Sequence, residues 1–181
     1  THSFRSVLTG CGKGDRKIRE TINHEAQIMP NGSVVDTVKI IREHTAGKGE
    51  KYTGVRNVDW LRVYAPIGSQ LLEAEGFRKP DDIFFKKAAK NLQKDEDISK
   101  EEETTRIHES SGTKVYEEDG HTVFANWSLV DPGETAVVYL KYKLPFNVFE
   151  NKDAEKGIGA EIWQNLTGGK SKTFSYSLLA Q

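Results

Sequence analysis

The sequence predicts a mainly β chain folded as two packed antiparallel sheets. Three observations carry that expectation. Apolar and polar residues alternate along most of the 181 residues. Tight-turn strings separate the alternating runs, and only a stretch at about 79–112 gives up alternation for charge. Successive side chains of a strand point to opposite faces, so a period of two is what a sheet with one buried face requires.

The first run covers residues 17–28. Ile18, Ile22, Ala26 and Ile28 lie on one face, and Arg19, Thr21, Asn23, Glu25 and Gln27 on the other. Met29-Pro30-Asn31-Gly32 follows, and Asn-Gly is a strong hairpin signal because both residues tolerate positive φ. Ser33 to His44, rich in Val and Ile, is the expected return strand, so 17–44 reads as a long hairpin with a two-residue turn. A loop containing Gly47, Gly49 and Gly54 leads to a strand from Val58 to Ala65. There Leu61, Val63 and Ala65 oppose Trp60, Arg62 and Tyr64. Pro66-Ile67-Gly68-Ser69 is a turn, and Gln70 to Glu75 is a short strand ending at Gly76.

Alternation returns at 121–130, where Val123, Ala125, Trp127 and Leu129 share a face. Asp131-Pro132-Gly133-Glu134 is the next turn. From Thr135 to Leu144, Ala136, Val138, Leu140, Tyr142 and Leu144 point one way, and Pro145 is expected to end the strand. Further strands are expected at about 159–166 and around Phe174, Tyr176 and Leu178. Seven or eight strands with tight turns and at most one short helix suggest an immunoglobulin-like antiparallel β-sandwich. Its expected core contains Ile22, Val38, Leu61, Val63, Val123, Trp127, Val138, Leu140, Tyr142 and Phe174.

The insertion holds lysines and acids from Lys86 to Glu103, with Ile83, Phe84, Ala88 and Leu92 at partial helical spacing. A short helix at about 81–94 inside a charged, partly helical insertion is therefore expected. The domain plan is a flexible lead-in over 1–16 and a single β-sandwich domain over 17–181, with the insertion at about 79–112. A chain 36% hydrophobic and 29% charged can bury a core without disulfides or metals. A net charge of -1 provides no concentrated basic face for nucleic acid, and no apolar run reaches membrane-spanning length. The chain opens on Thr1 without a signal-peptide pattern. It reads as part of a larger protein whose targeting or anchoring segment lies upstream.

Several strings, taken together, resemble one family. They are Asn31-Gly32-Ser33-Val34-Val35 with Val38-Lys39-Ile40 and Arg42-Glu43-His44; Arg62-Val63-Tyr64-Ala65-Pro66-Ile67-Gly68-Ser69 followed by Leu71-Leu72-Glu73-Ala74-Glu75-Gly76-Phe77; Val130-Asp131-Pro132-Gly133-Glu134 with Tyr142-Lys143-Leu144-Pro145-Phe146; and Tyr176-Ser177-Leu178-Leu179-Ala180-Gln181. In order and spacing they are similar to the C-terminal region of bacterial DUF4012 proteins, a family of unknown function. The resemblance runs from about residue 10 to the end, with a poor match over 79–120. It implies a bacterial envelope protein anchored through an N-terminal membrane segment outside this chain, and no catalytic residues here.

No catalytic, cofactor or metal constellation emerges from the residues. Gly10-Cys11-Gly12-Lys13-Gly14 lacks the Ser or Thr that a phosphate loop places after its Lys. Asp95-Glu96-Asp97 opens like a calcium loop, but Lys100 stands where Gly is required and Arg106 where a bidentate Glu belongs. His2, His24, His44, His108 and His121 have no zinc spacing, and Cys11 is the only cysteine. The N-x-[ST] triplets at Asn31, Asn126 and Asn165 are incidental. The expected function is a non-catalytic, extracytoplasmic structural or interaction module of a larger bacterial envelope protein. Its expected partners are other domains of that protein or envelope proteins, with no nucleic acid, no membrane contact by this chain and no cofactor. The alternative is a cell-wall glycan-binding module stacking sugars on Trp60, Tyr64 or Trp163, which requires those rings to be exposed and coplanar.

Overall fold

The computed structural model describes residues 3–8, 13–81 and 103–149, the first of these as backbone only. The strands are β1 (Ser3–Leu8), β2 (Ile18–Ile28), β3 (Ser33–His44), β4 (Asn57–Pro66), β5 (Gln70–Glu75), β6 (Arg106–Ile107), β7 (Lys114–Glu118), β8 (His121–Val130) and β9 (Thr135–Asn147). They form a five-stranded sheet in the order β1-β4-β8-β7-β6 and a four-stranded sheet in the order β2-β3-β9-β5. Every pairing is antiparallel. The chain is thus mainly β and sandwich-like. The helix expected at 81–94, the strands expected at 159–166 and near 176, and Phe174 and Trp163 lie outside the described residues.

The two sheets share one apolar core. Val38, Ile40, Val138, Leu140 and Tyr142 come from the four-stranded sheet, and Leu61, Val63, Ala65 and Phe124 from the five-stranded one. The rings of Phe124 and Tyr142 meet across the gap at 5.1 Å. On β4 the expected face is the buried one, and on β9 the even residues from Val138 to Leu144 point inward. Burying these side chains contributes roughly 1.5–3 kcal/mol each, which is what holds the layers together.

The structure departs from the sequence-based expectations at several points. Ser3–Leu8, placed in the lead-in, pairs with β4 from Ser3 opposite Tyr64 to Leu8 opposite Asp59. The β2–β3 turn has three residues rather than two. The Met29 N–H donates to Ser33 O and the Gly32 N–H to Met29 O, with Gly32 at φ 80. Pro30 suits the first central position of such a turn, and Gly32 the left-handed position that closes it. A Cβ at Gly32 would also collide with Asn147 and Phe149. The longer turn moves His24 opposite Val38, one residue from the register a two-residue turn would set.

β9 runs past Pro145 to Asn147. Its register against β3 shifts between Ser33 and Val35, an irregularity that accommodates a residue without an N–H. β6, inside the expected insertion, pairs with β7 just beyond it, and β7 joins β8 through Asp119-Gly120, where both residues have positive φ. That is a two-residue hairpin turn matching the strand twist.

Two core expectations fail. Ile22 is 36% exposed because β2 ends its sheet among the described residues. Trp127 is half-buried and lies on the outer face of the five-stranded sheet, opposite Trp60. Val123 is buried as expected, but on that outer face, where it packs with Tyr64, Tyr116 and Ala125 in a second cluster. The inward residue of this stretch is Phe124.

Candidate functional site

Three groupings of polar or aromatic side chains are candidates for function. The first lies between the sheets. Arg42 on β3 points inward and is 2% exposed. Its Nη1 donates to Ser128 Oγ at 3.0 Å, and its Nη2 to Asn57 Oδ1 at 2.6 Å and Asp59 Oδ2 at 2.8 Å. Glu20 on β2 approaches Arg42 Nε at 3.4 Å. Burial pushes the Glu20 carboxyl above its ordinary value; the Arg42 charge opposes that shift and Asp59 adds to it. One guanidinium thus ties β3 of one sheet to β4 and β8 of the other. A planar cation with several fixed donors is suited to such a bridge.

The histidines are held by the same interior. The Ala46 N–H donates to His44 Nδ1 at 3.3 Å, and His44 Nε2 lies 2.9 Å from Val55 O. Nδ1 thus accepts from the backbone on one side of the ring, while Nε2 faces a carbonyl on the other. His24 Nε2 sits 3.2 Å from Asp36 Oδ2, both side chains being almost fully enclosed. Among the described residues, no group of three His, Cys, Asp or Glu side chains is arranged to hold a metal ion. Gly10-Cys11-Gly12 and the acidic run at Asp95 lie outside the described residues.

The second grouping is the outer face of the five-stranded sheet, where the glycan-stacking candidates were expected. Tyr64 is 2% exposed, and its hydroxyl donates to Glu118 at 2.9 Å. It cannot offer a ring face to a sugar. Trp60 is half-buried, and its ring meets Trp127 at 4.8 Å with the planes tilted by 58°. Lys114 lies over the Trp60 ring, and Arg62 lies over Tyr64 while pairing with Glu118 at 3.3 Å. The two described candidates therefore belong to a packed, charge-braced cluster rather than a coplanar row. Asn126, one of the glycosylation triplets, is buried, and its amide donates to Ser111 O and Thr113 Oγ1.

The third is an open groove of about 510 Å³ near Gly68, Ser69, Arg106, Tyr116 and Thr122. Three of its lining residues are tied to the turn that forms its wall. The Gly68 N–H donates to Thr122 Oγ1, and Ser69 Oγ donates to Pro66 O.

The interior network and its burial were not read from the sequence. A signal was present in the inward-facing charges Asp36, Arg42 and Asp59, set on strands whose other inward residues are apolar. No helix among the described residues is long and apolar enough to cross a membrane. Compared with known families, with curated proteins and with solved structures, the chain finds no match in any of the three.

Proposed function

We propose that this chain is a non-catalytic structural or interaction module of a larger bacterial envelope protein, displayed outside the membrane, where it braces or presents neighbouring domains. The observation that carries this reading is the use of its buried reactive side chains. Arg42, Asp59, Asn57 and Ser128 close on one another across the two sheets, and His44 is locked between backbone groups. Such groups set geometry; they do not converge on a cleft where a substrate would react. The envelope setting and the kinship with DUF4012 proteins rest on the resemblance of the turn and strand strings.

We also propose an immunoglobulin-like arrangement. What supports this is the order β2-β3-β9-β5, with β4 passing to the opposite sheet between β3 and β5, as in the A-B-E-D sheet of that architecture; the second sheet differs, because β1 and β8 flank β4 and both precede β9. The β7–β8 hairpin is then an addition beside β4.

Thermal unfolding tests the functional reading, because a ligand that binds only the folded state raises the melting temperature. The scaffold role predicts the same Tm with EDTA, Ca²⁺, Zn²⁺ or peptidoglycan fragments. A rise of several degrees with a metal overturns it. A rise with glycan alone replaces it with a carbohydrate-binding role.

A further inference from the structure

β2 is the longest edge strand among the described residues. All eleven of its residues pair with β3 without a register shift. At the other edge of that sheet, β5 has six residues and an interrupted register. Long regular edges attract further strands, and proteins ordinarily shorten, bulge or cover them.

The outward-facing backbone of β2 can be identified. The Met29 N–H donates to Ser33 O, and the Thr45 N–H donates to Lys17 O, so odd residues at both ends of the strand are bonded toward β3. Antiparallel ladders alternate, so Ile18, Glu20, Ile22 and Ala26 turn their N–H and C=O groups away from β3. Ile22, in the middle of this row, is 36% exposed.

The sequence of β2 is complementary to itself when reversed about Ile22. Ile22 then meets Ile22 of a second copy, Ile18 meets Ala26, and Glu20 meets His24. Arg19 meets Glu25 twice, at the closely spaced non-hydrogen-bonded positions. The pairs are even with even and odd with odd, as the outward bonding pattern requires. Centring on Asn23 instead sets Arg19 against Gln27 and Glu20 against Ala26, and loses every opposite-charge pair.

We infer that two copies of this chain associate through their β2 edges, antiparallel and centred on Ile22, joining two four-stranded sheets into one. The contact is isologous and closes on itself, so it yields a dimer and not a fibre. The dimer and the scaffold role are independent: either can hold without the other.

The test is sedimentation of the full chain up to about 1 mM, where even a weak dimer is populated. Wild type should show a concentration-dependent dimer. Arg19→Glu and Glu25→Arg should each weaken association about tenfold, because each turns two attractive cross-strand pairs repulsive. Mixing the two variants restores both pairs and should restore the dimer as a heterodimer. Ile22→Pro removes an N–H that faces away from β3, so it should abolish the dimer while keeping the β-sheet circular dichroism signature. A wild-type chain that stays monomeric overturns the inference, including when the edge is instead taken by a strand from another protein. Charge variants that associate like wild type, or fail to recover on mixing, overturn it as well.

Discussion

The space between the sheets is apolar at one end, apart from the buried Asp36 and its neighbour His24, and ionic at the other, although the same strands line both. On β4, Leu61, Val63 and Ala65 face Tyr142 and its neighbours, whereas Asn57 and Asp59 of the same face meet Arg42. On β3, Val38 and Ile40 give way to Arg42 and His44. The two ends hold the layers by different physics. The apolar end gains free energy from area removed from water and tolerates swaps of similar volume. The ionic end gains little net energy, since desolvating the charges offsets their attraction, but it tolerates only one alignment of the sheets.

The sharpest way to break that contrast is to damage each end in turn. Phe124→Ala should cost about 3–5 kcal/mol by leaving a cavity against Tyr142. Asp59→Ala should cost a similar amount, about 3–5 kcal/mol, for a different reason: it strands most of the Arg42 charge in the interior. Replacing the partners together, as Arg42→Met with Asp59→Leu, should recover most of that loss, while no second substitution of that kind rescues Phe124→Ala. Chemical denaturation of these three variants beside wild type measures this. A double variant as unstable as Asp59→Ala would show that the ionic end contributes net stability.

A smaller effect separates the inner face from the outer one. Trp127 is half-buried and packs on Trp60, so Trp127→Ala should cost about 2 kcal/mol, less than Phe124→Ala. A loss equal to that of Phe124 would make the outer cluster a second full core.

The same contrast explains what was legible in the sequence. A strand with one wet face declares itself, as the inward set of β9 does from alternation alone; on β4 the Leu61, Val63, Ala65 face follows from its apolar residues although the outer Tyr64 is buried too. β8 does not, because Val123, Phe124 and Ala125 are all fully buried and alternation carries no sign when both faces are covered. Asn31-Gly32 located a hairpin but not its length, since Gly also closes three-residue turns. Asp119-Gly120 carried the signal for the β7–β8 hairpin but falls between the insertion and the strand read from 121, where the short β7 has no clear alternation. The site residues were least legible. Arg42 and Asp59 lie 17 residues apart, and only the packing of one sheet on the other makes them neighbours. Trp60 and Tyr64 invited a stacking role because aromatic rings look alike in a sequence whether they face water or each other.

The smallest expected effect sits at the rim of the ionic end, where Glu20 reaches Arg42 from the edge strand. Burial raises the folded-state pKa of Glu20 above 4.5, with Arg42 only partly opposing. A carboxyl raised in the folded state contributes its full stability below its ordinary pKa and loses it as the pH rises through the folded value. Ionised Glu20 is therefore a mild liability at neutral pH that Gln would not carry. Glu20→Gln should raise the Tm at pH 7 by a few degrees at most, because part of the side chain remains in screening water. The gap should close as the pH falls below 4.5, where wild-type Glu20 is also neutral. A Gln variant less stable than wild type at pH 7, with the deficit vanishing in acid, would reverse the sign. It would mean that the Glu20 charge is held by Arg42 more strongly than it is penalised by burial, and that the ionic end extends to the edge of the sheet.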